Sequence, residues 1–391
     1  MNPQKALVVG AGIGGLSAAL CLARKGFEVV VFEQSPDISE IGAGIQLSPN
    51  CSRVLHYLGL ESVLRRTTFL PEAAEIRHWK TGKVLSATVR GASASISYGF
   101  PYYHIHRADL IATLYEAANS HPKIEVRTSV EITGFHQTNV DAVLVSDGSE
   151  LHGDLIVGAD GIHSVVRAGL FGEAKPRFTG TVAWRGLVQA NKLPAGKIRP
   201  VTGLWWGPGK HFVHYYVRSG DLVNCVCVVE KAGWEIESWT ERGEHSELAS
   251  DFSGWHDTIR SLIEAMEPDE CYKWALFDRA PMHSWSRGRV TLLGDACHPT
   301  LPFMAQGAAM AIEDAVVLSA CVDADGIEAG LLRYEKLRMG RTAKIQRGSR
   351  RNAKVFHLRG IKAWARNRAA AMAAKNAMDW IYRYNALDVV T

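Results

Sequence analysis

Glycines and acidic residues stand together at several places directly after short apolar runs. The run at 7–9 is followed by the motif GAGIGG at 10–15 and then by a helical pattern. In the spacing G-x-G-x-x-G, Gly10 permits a tight turn, Gly12 lets a pyrophosphate approach the backbone, and Gly15 lets the helix pack closely on the strand. A helix N-terminus also favours an anion, so the motif predicts a phosphate-binding turn.

An acidic residue ends the next apolar run. Residues 28–33 read EVVVFE, and Glu33 lies 23 positions after Gly10. An acid at this place can accept hydrogen bonds from both hydroxyls of a ribose. The two features together predict a dinucleotide site, although glycines at this spacing can also form a purely structural turn.

Two further apolar runs end in a glycine beside an acid. Asp160 follows the run at 155–158, and Asp295 follows the run at 290–293. A single Asp-Gly pair usually makes only a turn, but three such ends are not expected by chance. After Asp295 the chain passes through two prolines and several small residues before a helical pattern resumes, which indicates that something lies against this backbone.

The order of apolar patterns indicates how these chain segments are positioned. Short apolar strands alternate with helical patterns over residues 1–70, and the same pattern returns near 154 and 290, whereas 180–230 reads as long strands. We therefore predict an α/β fold: a Rossmann-like domain assembled from discontinuous segments, an inserted β-sheet domain and C-terminal helices.

Composition excludes several classes of protein. The net charge of +4 does not imply a nucleic-acid partner. The seven cysteines are scattered without a CxxC pair, which favours a reducing, cytoplasmic setting. We expect no signal peptide and no membrane span, because no apolar stretch approaches about 18 residues. Residues 333–368 carry thirteen Lys or Arg and one acid, which we interpret as a solvated helix face, with binding to nucleic acid or an anionic surface as the alternative.

Histidines and aromatic residues in the middle of the chain have both structural and functional interpretations. His104 with His106, and His211 with His214, lack cysteine or carboxylate partners at ligand spacing, so we expect no metal site. Cys225 and Cys227 alternate along one strand and should lie in the core. Four aromatic residues could be core or line a pocket, namely Trp205, Trp206, Tyr215 and Tyr216.

In combination these motifs resemble a known family, the single-component FAD-dependent aromatic hydroxylases with the fold of 4-hydroxybenzoate hydroxylase. The subgroup is that of salicylate hydroxylase and 3-hydroxybenzoate 6-hydroxylase, with 6-hydroxynicotinate 3-monooxygenase nearby. The resemblance covers nearly the whole chain. It is carried by GAGIGG at 10–15, GAGIQLSPN at 42–50, HRADL at 106–110, GADGIHSVVR at 158–167, GDACHPTLPFMAQGAAMAIEDA at 294–315 and WIYRY at 380–384.

The resemblance implies a division of the chain and a set of FAD contacts. Residues 1–71, 101–180 and 285–340 would form the FAD-binding domain, 72–100 and 181–284 the strands of the substrate domain, and 341–391 a C-terminal helical region. Asp295 would bond the ribityl chain, and the helix near Gly307 would point its amides at the flavin. The implied contacts are Gly10, Gly12, Gly14, Gly15, Glu33, Gln34, Leu47, Arg107, Val130, Asp160, Asp295, Gly307 and Ala308.

The function implied by the resemblance is ring hydroxylation. FAD would stay bound without a covalent link, and NADH or NADPH would act transiently, since no second glycine-rich strand–helix unit is present. Oxygen would pass from a flavin hydroperoxide to a phenolic aromatic acid. The protein would be a monomer or homodimer. A flavin-dependent reductase or halogenase, a redox sensor, and a hydroxylase of 6-hydroxynicotinate remain alternatives.

Substrate contacts are implied at Leu47, Pro302, Phe303 and Met304. Hydroxynicotinate relatives would carry histidines near 47 and 303, and 3-hydroxybenzoate enzymes a polar amide near 302. This chain departs from both patterns, so salicylate is slightly favoured.

Catalytic roles are predicted for His211 and Tyr215. Electrophilic oxygen transfer is faster to a phenolate, so a pocket group must take or stabilise the phenol proton. Residues four apart on a strand share a face, about 13 Å apart, and both residues match the subgroup. His214 and Tyr216 would point to the opposite face. The alternative is a surface His211 and a core Tyr215.

Overall fold

The computed structural model describes residues 3–38, 43–89, 91–231, 233, 241–372 and 377–388. Gly42, the first residue of the GAGIQLSPN motif, lies outside them. The strands are β1 (Lys5–Val9), β2 (Glu28–Phe32), β3 (Gly44–Leu47), β4 (Ala73–His78), β5 (Val84–Val89), β6 (Tyr103–His106), β7 (Ile124–Arg127), β8 (Gly134–Gln137), β9 (Ala142–Ser146), β10 (Ser149–Gly153), β11 (Leu155–Gly158), β12 (Arg177–Gln189), β13 (Thr202–Gly207), β14 (Lys210–Val217), β15 (Leu222–Glu230), β16 (Tyr272–Asp278), β17 (Ser286–Arg287) and β18 (Val290–Leu292). The helices are α1 (Ile13–Arg24), α2 (Pro49–Tyr57), α3 (Glu61–Thr67), α4 (Gly91–Tyr98), α5 (Arg107–Asn119), α6 (Val165–Phe171), α7 (His245–Asp251), α8 (Asp257–Glu264), α9 (Gly307–Asp325), α10 (Ile327–Phe356), α11 (Gly360–Met372) and α12 (Asp379–Tyr382).

The first sheet brings the three glycine–acid ends together. Among the described residues its order is β17-β18-β11-β1-β2-β7, and all neighbours are parallel except the edge pair β17–β18. Its central strands are almost wholly buried, as expected of a parallel sheet covered on both faces. The carboxyl ends of parallel strands meet at one edge, so the predicted Rossmann-like architecture is confirmed.

The second sheet comes mainly from the long strands of the middle of the chain. Its order in the described residues is β16-β12-β15-β14-β13-β4-β5, antiparallel except at β13–β4. One face packs on α7 and α8 through a core that includes Trp205, Phe212, Cys225 and Cys227. The prediction that both cysteines lie in the core is therefore confirmed.

Three chain segments differ from the expected division. Residues 91–98 form α4, although 72–100 was expected to contain strands. An alternation of serine and small residues does not decide between a helix and a strand. In the structure Tyr98, at the end of this helix, packs edge-on against Tyr382 at 5.5 Å between ring centroids. β12 begins before the expected boundary at 181, and α10 crosses the one at 340/341. The domain division itself stays a prediction.

The basic segment at 333–368 is not only a solvated face, which corrects that expectation. Arg338 is fully buried; its Nε lies 2.6 Å from Asp314 Oδ1 and its Nη2 lies 2.7 Å from Glu313 Oε2. Arg341 binds Glu313 from the next turn of α10, at 2.8 Å. The period of charges along a helix does not reveal which cations meet buried acids, and α9 supplies those acids here.

This buried charge cluster also holds the strand ends. Asp314 Oδ2 lies 2.5 Å from His298 Nε2 and accepts the Gly294 N–H at 3.3 Å. Glu313 accepts the amide of Asn50 at 2.6 Å. Burial favours neutral carboxyls, yet His298, Arg338 and Arg341 lower the pKa of Asp314 or Glu313 below its ordinary value. Both acids therefore stay charged.

No helix in the described residues is long and apolar enough to cross a membrane.

We predict that Arg338→Met destabilises the fold strongly. The change leaves two buried carboxylates without their main cation, which typically costs about 3–5 kcal/mol. Thermal and urea unfolding of the variant measure this loss in the free energy of unfolding. Because both carboxyl pKa values are lowered, their stabilisation is present at neutral pH and is lost as pH falls through the folded values, so the deficit should shrink in acid. Arg383→Met, which removes an exposed pair with Asp379, should cost less than about 1 kcal/mol; equal losses in both variants would contradict the prediction.

Candidate active site

The glycine-rich turn after β1 has the geometry that a phosphate site needs. Gly10 has φ +98°, and a Cβ there would lie 2.6 Å from the Ala159 oxygen. A Cβ on Gly15 would lie 1.9 Å from the Gly10 oxygen, whereas one on Gly12 would meet nothing within 4 Å. Gly14 packs α1 against Leu293. The turn is thus closed on the protein side and open at Gly12, where a pyrophosphate would lie.

Glu33 is fixed beside this turn. Its Oε2 accepts the Ala11 N–H at 2.9 Å, its Oε1 accepts the Ser35 N–H at 3.0 Å, and its backbone oxygen accepts the Val130 N–H at 2.9 Å. Gln34 is exposed next to it. The carboxylate keeps lone pairs for ribose hydroxyls, so this corner fits the adenosine half of a dinucleotide.

Asp160 lies directly behind the turn. Its Oδ2 accepts the Val166 N–H at 3.1 Å, whereas its buried Oδ1 has no hydrogen-bond partner among the described residues. Desolvation raises the pKa of this carboxyl, and hydrogen bonds from Ser164 and backbone amides oppose the shift. A buried acceptor without a partner is costly and points to a ligand donor at this place.

The charged side chains of Asp295, Arg107 and Arg185 lie close together between the first and second sheets, and we call this region the junction cleft. Asp295 is exposed there, and four neighbours in the junction are partly exposed: Arg107, Arg185, Gly307 and Ala308. Protein atoms nevertheless surround the charges closely. Burial raises the pKa of Asp295, against the effects of His298 and Arg107, and burial lowers the pKa of Arg107. In a narrow cleft, Asp295 would be accessible to solvent while nearby protein atoms still shift the pKa values of Asp295 and Arg107.

The N-terminus of α9 enters the junction cleft. Helix α9 begins at Gly307 after Ala305, which has φ +52°. Gln306 is held by Asn50 at 3.0 Å and by Ser48 at 2.9 Å. The amides of Gly307 and Ala308 therefore have a fixed position, and the positive end of the helix suits the electron-rich edge of a flavin.

The second sheet supplies the opposite wall. His211 lies 5.1 Å from Phe303, between ring centroids, and Tyr215 lies 4.5 Å from His104 of β6. Both side chains thus face the chain segments that surround the first sheet. His214 packs instead near Trp205 at 6.3 Å, so it points to the other face, as expected for the alternation of a strand.

Tyr216 and the paired tryptophans follow the same alternation. Tyr216 donates to the Ile198 oxygen at 3.1 Å and packs with Trp205 against the core behind the sheet. Trp206 joins the cluster of Phe303 on the side of the junction cleft. One member of each aromatic pair is therefore core, and the other lies on the wall.

Burial gives His211 and Tyr215 opposite properties. Desolvation, then His357, lowers the pKa of His211 well below its ordinary value. Desolvation also raises the pKa of Tyr215, against the effects of Arg185 and Gln46. At neutral pH His211 is therefore an uncharged acceptor or donor, and Tyr215 keeps its proton and can only donate or accept as a phenol.

The expected substrate residues are not all on the wall. Leu47 has no exposed surface and belongs to the core around the first sheet, so its side chain presents no surface to the junction cleft. Met304 packs toward α10, where a Cβ on Gly348 would lie 2.7 Å from its sulfur. Phe303 lies beside His211, and Pro302 is exposed.

Arg185 is a wall residue that the motifs did not identify. Its guanidinium lies 4.0 Å from the ring centroid of Trp274. Burial, then Arg107, lowers its pKa to about 9, against the effect of Tyr215. The sequence feature that could have identified this residue is an arginine within the otherwise apolar run at 181–188.

One cluster of metal-ligand types lies in the described residues, namely Cys297, His298 and Asp314, with ligand atoms within 4.8 Å. Asp314 is already bound to His298 and Arg338. Burial and nearby acids raise the pKa of the Cys297 thiol well above its ordinary value, and it donates to the Gly294 oxygen. A protonated thiol is a poor ligand, so we interpret the cluster as internal hydrogen bonding.

The fold and site together define a dinucleotide-binding flavoprotein in which a second sheet closes the flavin side. The chain belongs to the family of the FAD binding domain, whose model matches residues 4–349. It is a FAD-dependent monooxygenase.

Similar proteins cover nearly the whole chain. The 3-amino-4-hydroxybenzoate 2-monooxygenase PtnB3 of Streptomyces platensis is 40% identical over 387 residues, 98% of this chain and 96% of the relative. A 3-hydroxybenzoate 6-hydroxylase of Klebsiella oxytoca is 38% identical over 93% of this chain and 91% of its own. The crystal structure of Klebsiella pneumoniae HpxO complexed with FAD and uric acid has a TM-score of 0.86 at 27% identity and covers 98% of this chain and 97% of that chain.

We predict opposite outcomes for two glycines of the turn. Gly12→Ala should fold normally, because the new methyl meets open space, but FAD affinity should fall about 10-fold or more. Gly15→Ala should be destabilised by about 1–3 kcal/mol or more, because its methyl meets the Gly10 oxygen. Fluorescence titration with FAD and thermal unfolding of the apoprotein separate the two effects.

Gly340 is the control, since it is exposed within α10 and a Cβ there meets nothing within 4 Å. Gly340→Ala should gain about 0.5–1 kcal/mol from helix propensity and leave FAD binding unchanged. Normal FAD affinity in Gly12→Ala would show that no phosphate lies against that backbone.

Proposed function

We propose that this FAD-dependent monooxygenase hydroxylates the ring of a small phenolic aromatic acid, with NADH or NADPH as electron donor. The observation that carries the proposal is the wall of the junction cleft, where Arg185, His211 and Tyr215 share one face of the second sheet. A phenolic acid has the two groups that such a wall would recognise, a carboxylate and a hydroxyl. The hydroxybenzoate names of the two relatives support this substrate class.

The residues described above would hold FAD along the first sheet. Glu33 would bind the ribose, the turn at Gly12 the pyrophosphate, and Asp295 the ribityl chain, with Arg107 beside it. Bound FAD would supply electron transfer to O2 and oxygen transfer to the ring. The α9 N-terminus would stabilise negative charge at the flavin edge.

The wall residues would act on the substrate in three ways. His211 would accept the phenol proton, because it is uncharged at neutral pH. Tyr215 would donate a hydrogen bond to the resulting oxyanion. Arg185 would bind the carboxylate, a charge-assisted contact that also orients the ring. Phe303 would pack against the ring beside His211.

The individual acid stays a prediction. Salicylate, 3-hydroxybenzoate, 3-amino-4-hydroxybenzoate and 6-hydroxynicotinate should be offered to the holoenzyme with NADH and NADPH. The expected result is substrate-dependent O2 consumption with a hydroxylated product for at least one phenolic acid. NAD(P)H oxidation that no acid accelerates, or acceleration without product, would contradict the proposal.

We also propose a cytoplasmic location. All seven cysteines lie in the described part of the chain, and all are buried free thiols, as is usual in a reducing compartment.

We predict that His211→Ala and Tyr215→Phe slow hydroxylation or divert peroxide to solvent while FAD stays bound. Loss of a general base or of an oxyanion donor costs about 100-fold or more in rate. Product formed per NAD(P)H oxidised is the measurement. His214→Leu is the matched control, because both His214 nitrogens are buried without a partner in the described residues, so it should keep turnover and stability. If this control fails and the His211 variant works, the assigned wall is wrong.

We predict that Arg185→Gln raises the KM for the acid about 10- to 100-fold, the worth of a charged hydrogen bond. The KM of the Arg185→Lys enzyme should lie between those of the wild type and the Arg185→Gln enzyme. Arg242→Gln, which removes an exposed charge, should leave the KM unchanged. Binding of 3-hydroxybenzamide, which lacks the carboxylate charge, should be nearly insensitive to Arg185→Gln; equal losses for acid and amide would exclude carboxylate binding.

A further inference from the structure

A line of hydrogen bonds runs from the wall of the junction cleft to the protein surface. His211 Nδ1 lies 2.8 Å from His357 Nε2, and His357 Nδ1 lies 3.2 Å from Glu230 Oε1. Both imidazoles are buried, at 3% and 4% exposure, whereas the Glu230 side chain is 43% exposed. The three residues come from β14, the end of α10 and the end of β15, so the line is assembled only by the fold.

The tight turn between β13 and β14 holds the outer two members. Gly209 donates its N–H to the His357 oxygen at 3.0 Å, and its own oxygen accepts the Glu230 N–H at 3.0 Å. Arg359 binds the second Glu230 oxygen at 2.9 Å. His357 and Glu230 are therefore placed by the backbone as well as by their side chains.

The chemistry of the acceptor fixes the proton positions. A carboxylate can only accept, so His357 carries its proton on Nδ1 and its Nε2 is the acceptor for His211. The His211 proton then lies on Nδ1, and its Nε2 is left as an acceptor. No protein group in the described residues forms a hydrogen bond with this Nε2. The atom is also not among the buried polar atoms that lack a partner. Its lone pair is available to a ligand.

We propose that His211, His357 and Glu230 form a proton relay that carries the phenol proton of the substrate from the junction cleft to solvent. This proposal rests on the proposed function. The substrate O–H bond breaks as His211 Nε2 gains the proton, and His211 Nδ1 gives its own proton to His357 Nε2. His357 Nδ1 gives its proton to Glu230, which releases it to water. The phenolate remains, and both rings end neutral with exchanged tautomers. After the ring is hydroxylated, the reverse transfer takes one proton from water through Glu230, gives one proton from His211 Nε2 to the product oxygen, and restores the starting tautomers.

The electrostatics favour a relay over storage of the proton on one ring. Burial lowers the pKa of His211, and burial also lowers that of His357 despite Glu230. The other charges that influence His357 are Arg359 and Arg366, which also oppose an imidazolium. A transfer that exchanges tautomers never leaves a charged ring in this site, so it avoids the desolvation cost.

The first test is the pH dependence of hydroxylation with 3-hydroxybenzoate and 3-amino-4-hydroxybenzoate. The hydroxylation rate of the wild-type enzyme should be nearly independent of pH between about pH 6.5 and 8.5, the range in which neutral imidazoles transfer the proton. His357→Gln should lower kcat about 10- to 100-fold with little change in KM, and its rate should rise with pH as solvent base takes over. His357→Ala should regain activity when imidazole is added. Glu230→Gln should lower the rate less.

Matched controls separate the relay from a structural role. His136 and Glu150 form an exposed pair at 2.9 Å on the first domain, so His136→Gln should leave the rate and its pH profile unchanged, as should Glu264→Gln at an exposed position. A His357→Gln enzyme with the wild-type pH profile, or a His357→Ala enzyme that imidazole does not rescue, would overturn the relay.

A second measurement needs no substrate. Nitrogen-15 NMR of labelled histidines in the holoenzyme should show Nδ1–H tautomers for both His211 and His357. Protonation of His357 on Nε2 would overturn the relay even if hydroxylation is observed. If none of the acids offered in the substrate test is hydroxylated, the proposed function fails, and the tautomers still decide whether the line of donors and acceptors exists.

Discussion

The buried cluster around Arg338 fixes the parts of the structure on which the site depends. Its guanidinium binds Asp314 and Glu313 of α9 from the middle of α10, and a buried charge without its partner would be strongly destabilising. The observed arrangement of the two helices satisfies all these charges. Because Asp314 also holds the Gly294 amide and Glu313 holds Asn50, the turn that carries Asp295 and the start of α9 are set by the same cluster.

Desolvation assigns different roles to the polar groups of the opposite wall. The same low-polarity surroundings lower the pKa of His211 and raise that of Tyr215, because burial disfavours whichever form is charged. One residue becomes an uncharged proton acceptor and the other a phenol that keeps its proton. A single physical effect thus produces an acceptor and a donor on the same face of one sheet.

The parts of the site whose position the sequence indicates are those set by local geometry. The turn at Gly10 and the acid at Glu33 follow from a strand, a turn and a helix that are contiguous in the chain. Arg338 and His357 carry no such signal. His357 meets His211 across 146 positions and Glu230 across 127, and its neighbours read as part of a basic helical tail. Residue type and spacing cannot indicate partners that only tertiary packing supplies.

A hydroxylating flavin site has two requirements that conflict. Water must be kept from the reacting centre, yet a proton must leave the substrate before its ring becomes electron-rich. Opening the cleft to solvent would meet the second requirement at the expense of the first. A line of two buried imidazoles ending at the exposed Glu230 meets both, since protons can pass along it while water cannot. The end of α10, which belongs to neither sheet, is what closes that line.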